Sequence, residues 1–258
     1  MGGDVMKAMI TGATSGIGYD MAKYLAEKNY ELILIGRNKE KLEALQQELP
    51  TKTKVVIVDL ANEQKVKELC VLTKNEDIGL LINNAGFGVF GDFCETDVAA
   101  ELEMIDVNIK AVHILTKFFL KEMQKKDQGI ILNVASSAAF YAGPLFSSYY
   151  ASKSYVYKLS LALAEELHKK RSHVQVSILC PGPVATNFNE RAGVSFSVKP
   201  LSSSYVAKYA IDQCLAGKII IIPGTKMKLA KFFSHFLSDK QLAKITYKIQ
   251  KKKVTSDE

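Results

Sequence analysis

Thr11-Gly12-Ala13-Thr14-Ser15-Gly16-Ile17-Gly18 is the stretch on which the reading of this chain turns. It follows a short apolar run, residues 8–10, and opens a helical pattern over residues 17–28. Glycines let a backbone turn tightly and approach a pyrophosphate closely, and a helix N-terminus favours the negative charge of such a group. The spacing is GxxxGxG rather than GxGxxG. No GK[ST] follows, which excludes a P-loop. Ser15 has no glycine two residues before it, so it is not a nucleophile elbow. Alone, the turn could also be a plain strand–helix connection, so the rest of the chain has to decide.

Working outward, short β-branched runs alternate with longer helical patterns. The runs are residues 8–10, 31–35, 54–58, 80–82, 129–134, 174–179 and 218–222; the helical stretches are 17–28, 39–48, 63–74, 100–125 and 148–170. Most runs are solidly apolar, as strands covered on both faces should be. Asn38 and Asn62 stand where helix N-caps belong. The alternation predicts an α/β fold: a doubly wound parallel sheet of about seven strands with helices on both faces. There is no internal repeat and no linker. Residues 1–225 read as one Rossmann-like catalytic domain and residues 226–258 as a basic C-terminal extension. Residues 187–204 form the longest stretch without periodicity and read as a mobile loop.

Charge supports that division. The chain has 258 residues, 34 Lys+Arg against 27 Asp+Glu, a net of +7, with 48% hydrophobic residues. Disordered, collagen-like and low-complexity classes are excluded by such a composition. Residues 226–258 hold nine lysines and three acids, so the body is nearly neutral and the tail basic. A chain that coats nucleic acid with its whole surface would not divide its charge this way. Cys70, Cys94, Cys180 and Cys214 form no CxxC pair, the four histidines show no ligand spacing, and a metal site has no support. No secretory segment, myristoylation pattern or apolar run of membrane-spanning length is present, and Met6 could equally be the start. Reduced thiols in a cytoplasmic setting are expected.

Two further positions bear on chemistry. After the second run comes Gly36-Arg37, with no acid to hold a ribose 2′-hydroxyl. A guanidinium there can pair with a 2′-phosphate, which points to NADP; a surface Arg at a strand end is the alternative. Tyr149-Tyr150-Ala151-Ser152-Lys153 sets a Tyr and a Lys on one helix face, where an ammonium favours phenolate. The pattern is common: Tyr19/Lys23, Tyr24/Lys28 and Tyr247/Lys251 share it and read as solvated faces. Only Tyr149 follows a strand that ends in serines, Ser136-Ser137.

Together, TGATSGIG at 11–18, Asn83-Asn84-Ala85-Gly86, Asn108, Ser136, Tyr149/Lys153 and the segment Pro181-Gly182-Pro183-Val184-Ala185-Thr186 fall in an order that resembles the short-chain dehydrogenase/reductase family, NADP-preferring type. The resemblance covers roughly residues 6–224. It implies NADP(H) as cofactor and four catalytic residues: Tyr149 as general acid/base, Lys153 to lower the tyrosine's pKa together with the positive nicotinamide of the oxidised cofactor and to hold the nicotinamide ribose, Ser136 on the substrate oxygen, and Asn108 holding a relay water. Bringing a phenol from near pKa 10 to neutrality is worth about 3–4 kcal/mol. Ser136 is chosen over Ser137 on its spacing from Tyr149; an insertion in the loop would reverse that. For Asn108 a purely structural, helix-kinking role stays open. The cofactor contacts implied are Gly12, Thr14, Ser15, Gly16, Ile17, Gly18, Arg37, Asp59, Leu60, Asn84, Ala85, Gly86, Tyr149, Lys153, Pro181, Gly182, Val184 and Thr186, with Asn83 structural. A homodimer or homotetramer through the helices at 100–125 and 148–170 is implied likewise.

Phe140, Tyr141, Leu145, Phe146, Phe188 and Phe196 point to a hydrophobic small-molecule carbonyl or alcohol, with packing under a lid as the equal alternative. In the tail, Leu229, Phe232, Phe233, Phe236 and Leu237 have amphipathic helical spacing among lysines. Packing on the domain or on a partner subunit is the expected use, and contact with an anionic membrane the less favoured one. Residues 251–258 read as disordered. The leading reading is hydride transfer between a carbonyl and a secondary alcohol. The alternatives are a catalytically silent nucleotide-binding regulator and a hydride-cycling isomerase on the same fold.

Overall fold

A computed structural model describes residues 6–186, 188 and 199–251. The apolar runs become β1 (Lys7–Thr11), β2 (Glu31–Gly36), β3 (Thr53–Ile57), β4 (Ile78–Asn83), β5 (Ile130–Val134) and β6 (Gln175–Leu179). Two short strands, β7 (Val184–Ala185) and β8 (Leu201–Ser202), pair with each other beside the main sheet, which β9 (Ile220–Ile221) completes. The seven main strands are parallel, in the order β3-β2-β1-β4-β5-β6-β9. Ile10 of β1 lies opposite Leu34 on one side and Ile82 on the other.

Helices cover both faces because β1, β2, β4, β5 and β6 are buried at nearly every position, while the edge strand β3 has no buried residue. On one face, α1 (Gly16–Glu27), α2 (Lys39–Glu48) and α7 (Ser203–Leu215) pack Met21, Leu25, Leu45 and Ile211 against Ile10, Leu34 and Leu132. On the other, α3 (Glu63–Thr73), α5 (Val112–Lys126) and α6 (Ser147–Lys169) pack Leu69, Phe119 and Leu167 against Met9, Leu81 and Ile131. Asn38 and Asn62 cap α2 and α3, accepting from the backbone N–H of Lys41 at 2.8 Å and Lys65 at 3.0 Å.

Three features depart from the sequence reading. The helical stretch at 100–125 is α4 (Val98–Ile105), a π turn over Asp106–Ala111, then α5; Asn108 lies in the π turn. The expected loop at 187–204 lies largely outside the described residues, but its end forms β8 and the first turn of α7, whose N-cap Ser202 accepts from the Tyr205 N–H. The tail is two helices, α8 (Thr225–Ser234) and α9 (Asp239–Lys251). The apolar stripe of α8 faces outward rather than onto its own domain, while Lys228 and Lys231 reach the Tyr209 and Tyr157 hydroxyls; Thr246 and Gln250 of α9 are buried. Most of residues 251–258 and all of 1–5 lie outside the described residues. No described helix is long and apolar enough to cross a membrane.

The topology fixes where a ligand belongs. From β1 the chain moves to β2 on one side, and β4 adds on the other, so the connections leave a crevice at the carboxyl ends of β1 and β4. Open α/β sheets bind ligands there. The turn after β1 and the Asn84-Ala85-Gly86 segment after β4 both lie in it.

Candidate active site

A cleft of about 720 Å³ runs over these strand ends. Gly12 and Gly16 of the first turn have φ of +69° and +56°, the left-handed region that glycine enters without strain. A Cβ on Gly12 would stand 2.8 Å from the Ala85 Cα, and one on Gly86 would stand 2.9 Å from Asn108 Oδ1 and 3.1 Å from Lys153 Nζ. The turn is braced from β4: Asn84 Nδ2 donates to the carbonyls of Thr11 and Gly12 at 3.0 and 3.1 Å. Thr11 Oγ1 accepts from the N–H groups of Asn84 and Ala85. Ser15, the N-cap of α1, makes no side-chain capping bond, and α1 has no acid in its first turn. An uncapped helix N-terminus behind a close backbone approach fits a pyrophosphate.

Thr14, Arg37, Asn38 and Lys41 line one end of the cleft, together with Asp59 and Leu60. Arg37 is half exposed. Its Nη1 sits 2.9 Å from Glu103 Oε1 of α4 and 4.0 Å from Asp59 Oδ1. The cation is therefore shared with carboxylates, one of them 66 residues away in the chain.

At the centre, Tyr149 and Lys153 stand one turn apart on α6, both buried. Burial pushes the Tyr149 hydroxyl up to about 12, and the pull of the nearby Ser136 side chain in the other direction does not offset it. Burial pulls the Lys153 ammonium down to about 8. Its Nζ donates to the Val134 carbonyl at 3.0 Å and lies 5.9 Å from the Tyr149 ring centre. The resemblance assigns the lowering of this pKa to Lys153 together with the positive nicotinamide of the oxidised cofactor; for the protein's own groups, burial sets the direction. Asn108 is fully buried beneath the cleft. Its Oδ1 accepts from the Phe87 N–H at 3.1 Å, and its Nδ2 donates to the Phe87 carbonyl at 2.9 Å and to Ser152 Oγ at 3.0 Å. Its side-chain amide thus ties the segment after β4 to α6.

The remaining wall is aromatic. The Phe146 ring stacks on Tyr149 at 4.5 Å between centres, and Phe188 lies 5.4 Å from Tyr149 on another side. Tyr141, Tyr150 and Met227 line the cleft, as do Thr246, Ile249 and Gln250 from α9. Gln250 Nε2 donates to the Tyr150 hydroxyl at 2.7 Å, across 100 residues of sequence, while Gln250 Oε1 is buried without a partner.

The short chain dehydrogenase family model matches residues 6–194. The chain belongs to the short-chain dehydrogenase family. Among curated relatives of this dehydrogenase, a very-long-chain 3-oxoacyl-CoA reductase of Anas platyrhynchos is 34% identical over 77% of this chain and 66% of its own length. The 17-beta-hydroxysteroid dehydrogenase type 3 of Mus musculus is 34% identical over 88% of this chain and 78% of its own. The chain spans about three-fifths to two-thirds of the first two 3-oxoacyl-CoA reductases it matches. The same fold is seen in a Sphingobium yanoikuyae short-chain dehydrogenase in complex with NADPH (TM-score 0.81, 24% identity, 90% of this chain and 94% of that one). A Burkholderia phymatum short chain dehydrogenase/reductase in complex with NAD is equally close (TM-score 0.82, 24% identity, 93% and 95%).

Most residues singled out from the dehydrogenase's sequence meet in this one cleft: Gly12, Thr14–Ile17, Arg37, Asp59, Leu60, Asn84–Gly86, Ser136, Tyr149, Lys153, Pro181, Gly182, Val184 and Thr186. Two do not line it. Asn108 lies below. Gly18 packs inward, where a Cβ would stand 2.4 Å from both Asn84 Nδ2 and the Gly12 carbonyl oxygen, so it serves helix–strand packing. Of the aromatic set, Tyr141, Phe146 and Phe188 line the cleft; Phe140 packs on Tyr157 instead, and Phe196 lies outside the described residues. Asn83 Nδ2 donates to Thr116 Oγ1 and Asn133 Oδ1 inside the core, a structural placement. Lys41, Thr11, Tyr150 and Gln250 were missed. Only Lys41, one turn beyond Arg37, had a local signal.

Proposed function

We propose that this dehydrogenase is an NADP(H)-dependent carbonyl reductase with Tyr149 as proton donor. The observation that carries the reading is the convergence of Ser136, the buried Tyr149 and Lys153 in the same cleft as the glycine turn. A phenol held protonated through the neutral range is in the state that reduction requires of its acid. Bound NADPH would supply the hydride. Ser136 would hold the substrate oxygen while Tyr149 delivers its proton. Lys153 would hold the nicotinamide ribose, and the Val184 main chain and Thr186 hydroxyl its carboxamide. Asp59 and Leu60 would meet the adenine. Arg37 and Lys41, together at one rim, would take the 2′-phosphate. For Asn108 we propose positioning: its amide fixes the carbonyl and N–H of Phe87 against α6, which sets Tyr149 and Lys153 over the Gly86 approach.

The aromatic wall and the names of the relatives support an apolar ketone, with a 3-oxoacyl thioester as the first candidate. A cytoplasmic homo-oligomer assembled through α5 and α6 is the matching proposal for its assembly. The test is a panel of 3-oxoacyl thioesters, steroid ketones, simple ketones and aldehydes, followed by NADPH oxidation. Turnover of an apolar ketone is expected. NADPH binding without turnover of any member would favour the silent regulator, and isomerisation without net NADPH use the hydride-cycling alternative.

A further inference from the structure

Helix α8 turns an aromatic stripe outward. Two of its three lysines reach back to the domain: Lys228 Nζ donates to the Tyr209 hydroxyl at 3.1 Å, and Lys231 Nζ donates to the Tyr157 hydroxyl at 3.0 Å and lies 4.7 Å above the Phe140 ring, while Lys226 is exposed. Apart from Met227, its large apolar side chains face away, with Leu229 55%, Phe232 58%, Phe233 60% and Phe236 72% exposed. A helix on a protein that meets only water carries the opposite arrangement. Phe232 meets Phe233 and Phe236 edge-to-face, each pair 5.5 Å between centres, so the rings form one contiguous patch.

We infer that this face docks the protein onto an anionic lipid surface. Three observations point to lipid. Besides Lys228 and Lys231, five exposed lysines (Lys226, Lys240, Lys244, Lys248 and Lys251) and a single acid, Asp239, stand between residues 225 and 251, so the helix pair that carries the patch is positively charged. A second copy of the chain would bring the same positive charge against it, and repulsion disfavours that occupant. An exposed Phe/Leu face within a lysine-rich helix pair is the arrangement that buries side chains among acyl chains while the ammonium groups meet acidic headgroups. The patch also lies beside the cleft: Met227 of α8 and Ile249 of α9, itself 48% exposed, line the cleft wall. Docking would therefore present the cleft to the lipid surface.

The test is co-sedimentation of the full chain with vesicles of phosphatidylcholine alone, and with vesicles containing about one-third phosphatidylglycerol. Binding is expected to the anionic vesicles and to weaken with added salt, since the lysine contribution is screened. Phe232→Ser/Phe233→Ser/Phe236→Ser, whose positions are exposed and outside the cleft, should bind at least about tenfold more weakly at unchanged NADPH affinity. Replacing Lys226, Lys240 and Lys244 with Gln should lower binding to anionic vesicles only. A wild-type chain that stays in the supernatant overturns the inference, as does a triple serine variant that binds equally well. So does sedimentation velocity showing a lipid-free wild-type dimer that the triple variant loses, which would make the patch a protein interface.

Discussion

Gln250 Nε2 stands 2.7 Å from the Tyr150 hydroxyl, and this bond fastens α9 across the aromatic wall of the cleft. Gln250→Ala leaves a largely buried hydroxyl without its donor, at about 1–3 kcal/mol. A lowered Tm is expected, together with a several-fold higher KM for large apolar ketones and an unchanged Kd for NADPH. An unchanged Tm and KM would show that α9 is not held there.

The Arg37–Glu103 pair competes with the proposed phosphate contact. Glu103→Gln frees the guanidinium and should tighten NADPH about three- to tenfold, with little effect on NADH. Arg37→Ala should weaken NADPH about ten- to a hundredfold and NADH less than about twofold. Equal losses for both nucleotides, measured by fluorescence titration, would remove the 2′-phosphate assignment.

Lys153 makes stability depend on pH in a stated direction. Its folded pKa is lowered to about 8, against an ordinary 10.5, so the unfolded chain holds the proton more tightly between these values. Stability from this group is therefore lowest below pH 8 and recovers as pH rises towards 10.5. The total is at most about 3 kcal/mol. Relative to Lys153→Met, the wild type should gain stability across that window in denaturant titrations. A difference independent of pH would contradict the buried ammonium.

Tyr149 gives a second pH signature. With its pKa pushed up to about 12, the acid form needed for reduction persists through neutrality. The kcat/KM for ketone reduction should be flat from about pH 6 to 8. Alcohol oxidation, which needs the phenolate, should climb up to about tenfold per pH unit over the same range. A flat oxidation profile would point to a different base.

The inner strands could be read locally because β2 and β4 are apolar at nearly every position, as strands of a doubly covered sheet are. The same holds for the glycine turn, whose two positive-φ positions are glycines in the sequence. Helix α7 was missed although Val206, Ala207, Ala210, Ile211 and Cys214 form a helical stripe, because the aperiodic segment before it masked its start. Other features depend on distant partners that no local pattern reports. Glu103 meets Arg37, Gln250 meets Tyr150, and the burial that pushes the Tyr149 hydroxyl up comes from several elements at once. The outward turn of the α8 aromatic stripe belongs here too, since its Lys/Phe spacing is the same whichever side faces inward.

The most direct measurement of the central claim is single-turnover NADPH oxidation by Tyr149→Phe with the best apolar ketone of the panel. The account predicts a rate at least about a thousandfold below wild type, beyond what loss of one hydrogen bond explains, with the Kd for NADPH within about twofold. A Tyr149→Phe enzyme that still reduces the ketone at near wild-type rate would contradict it.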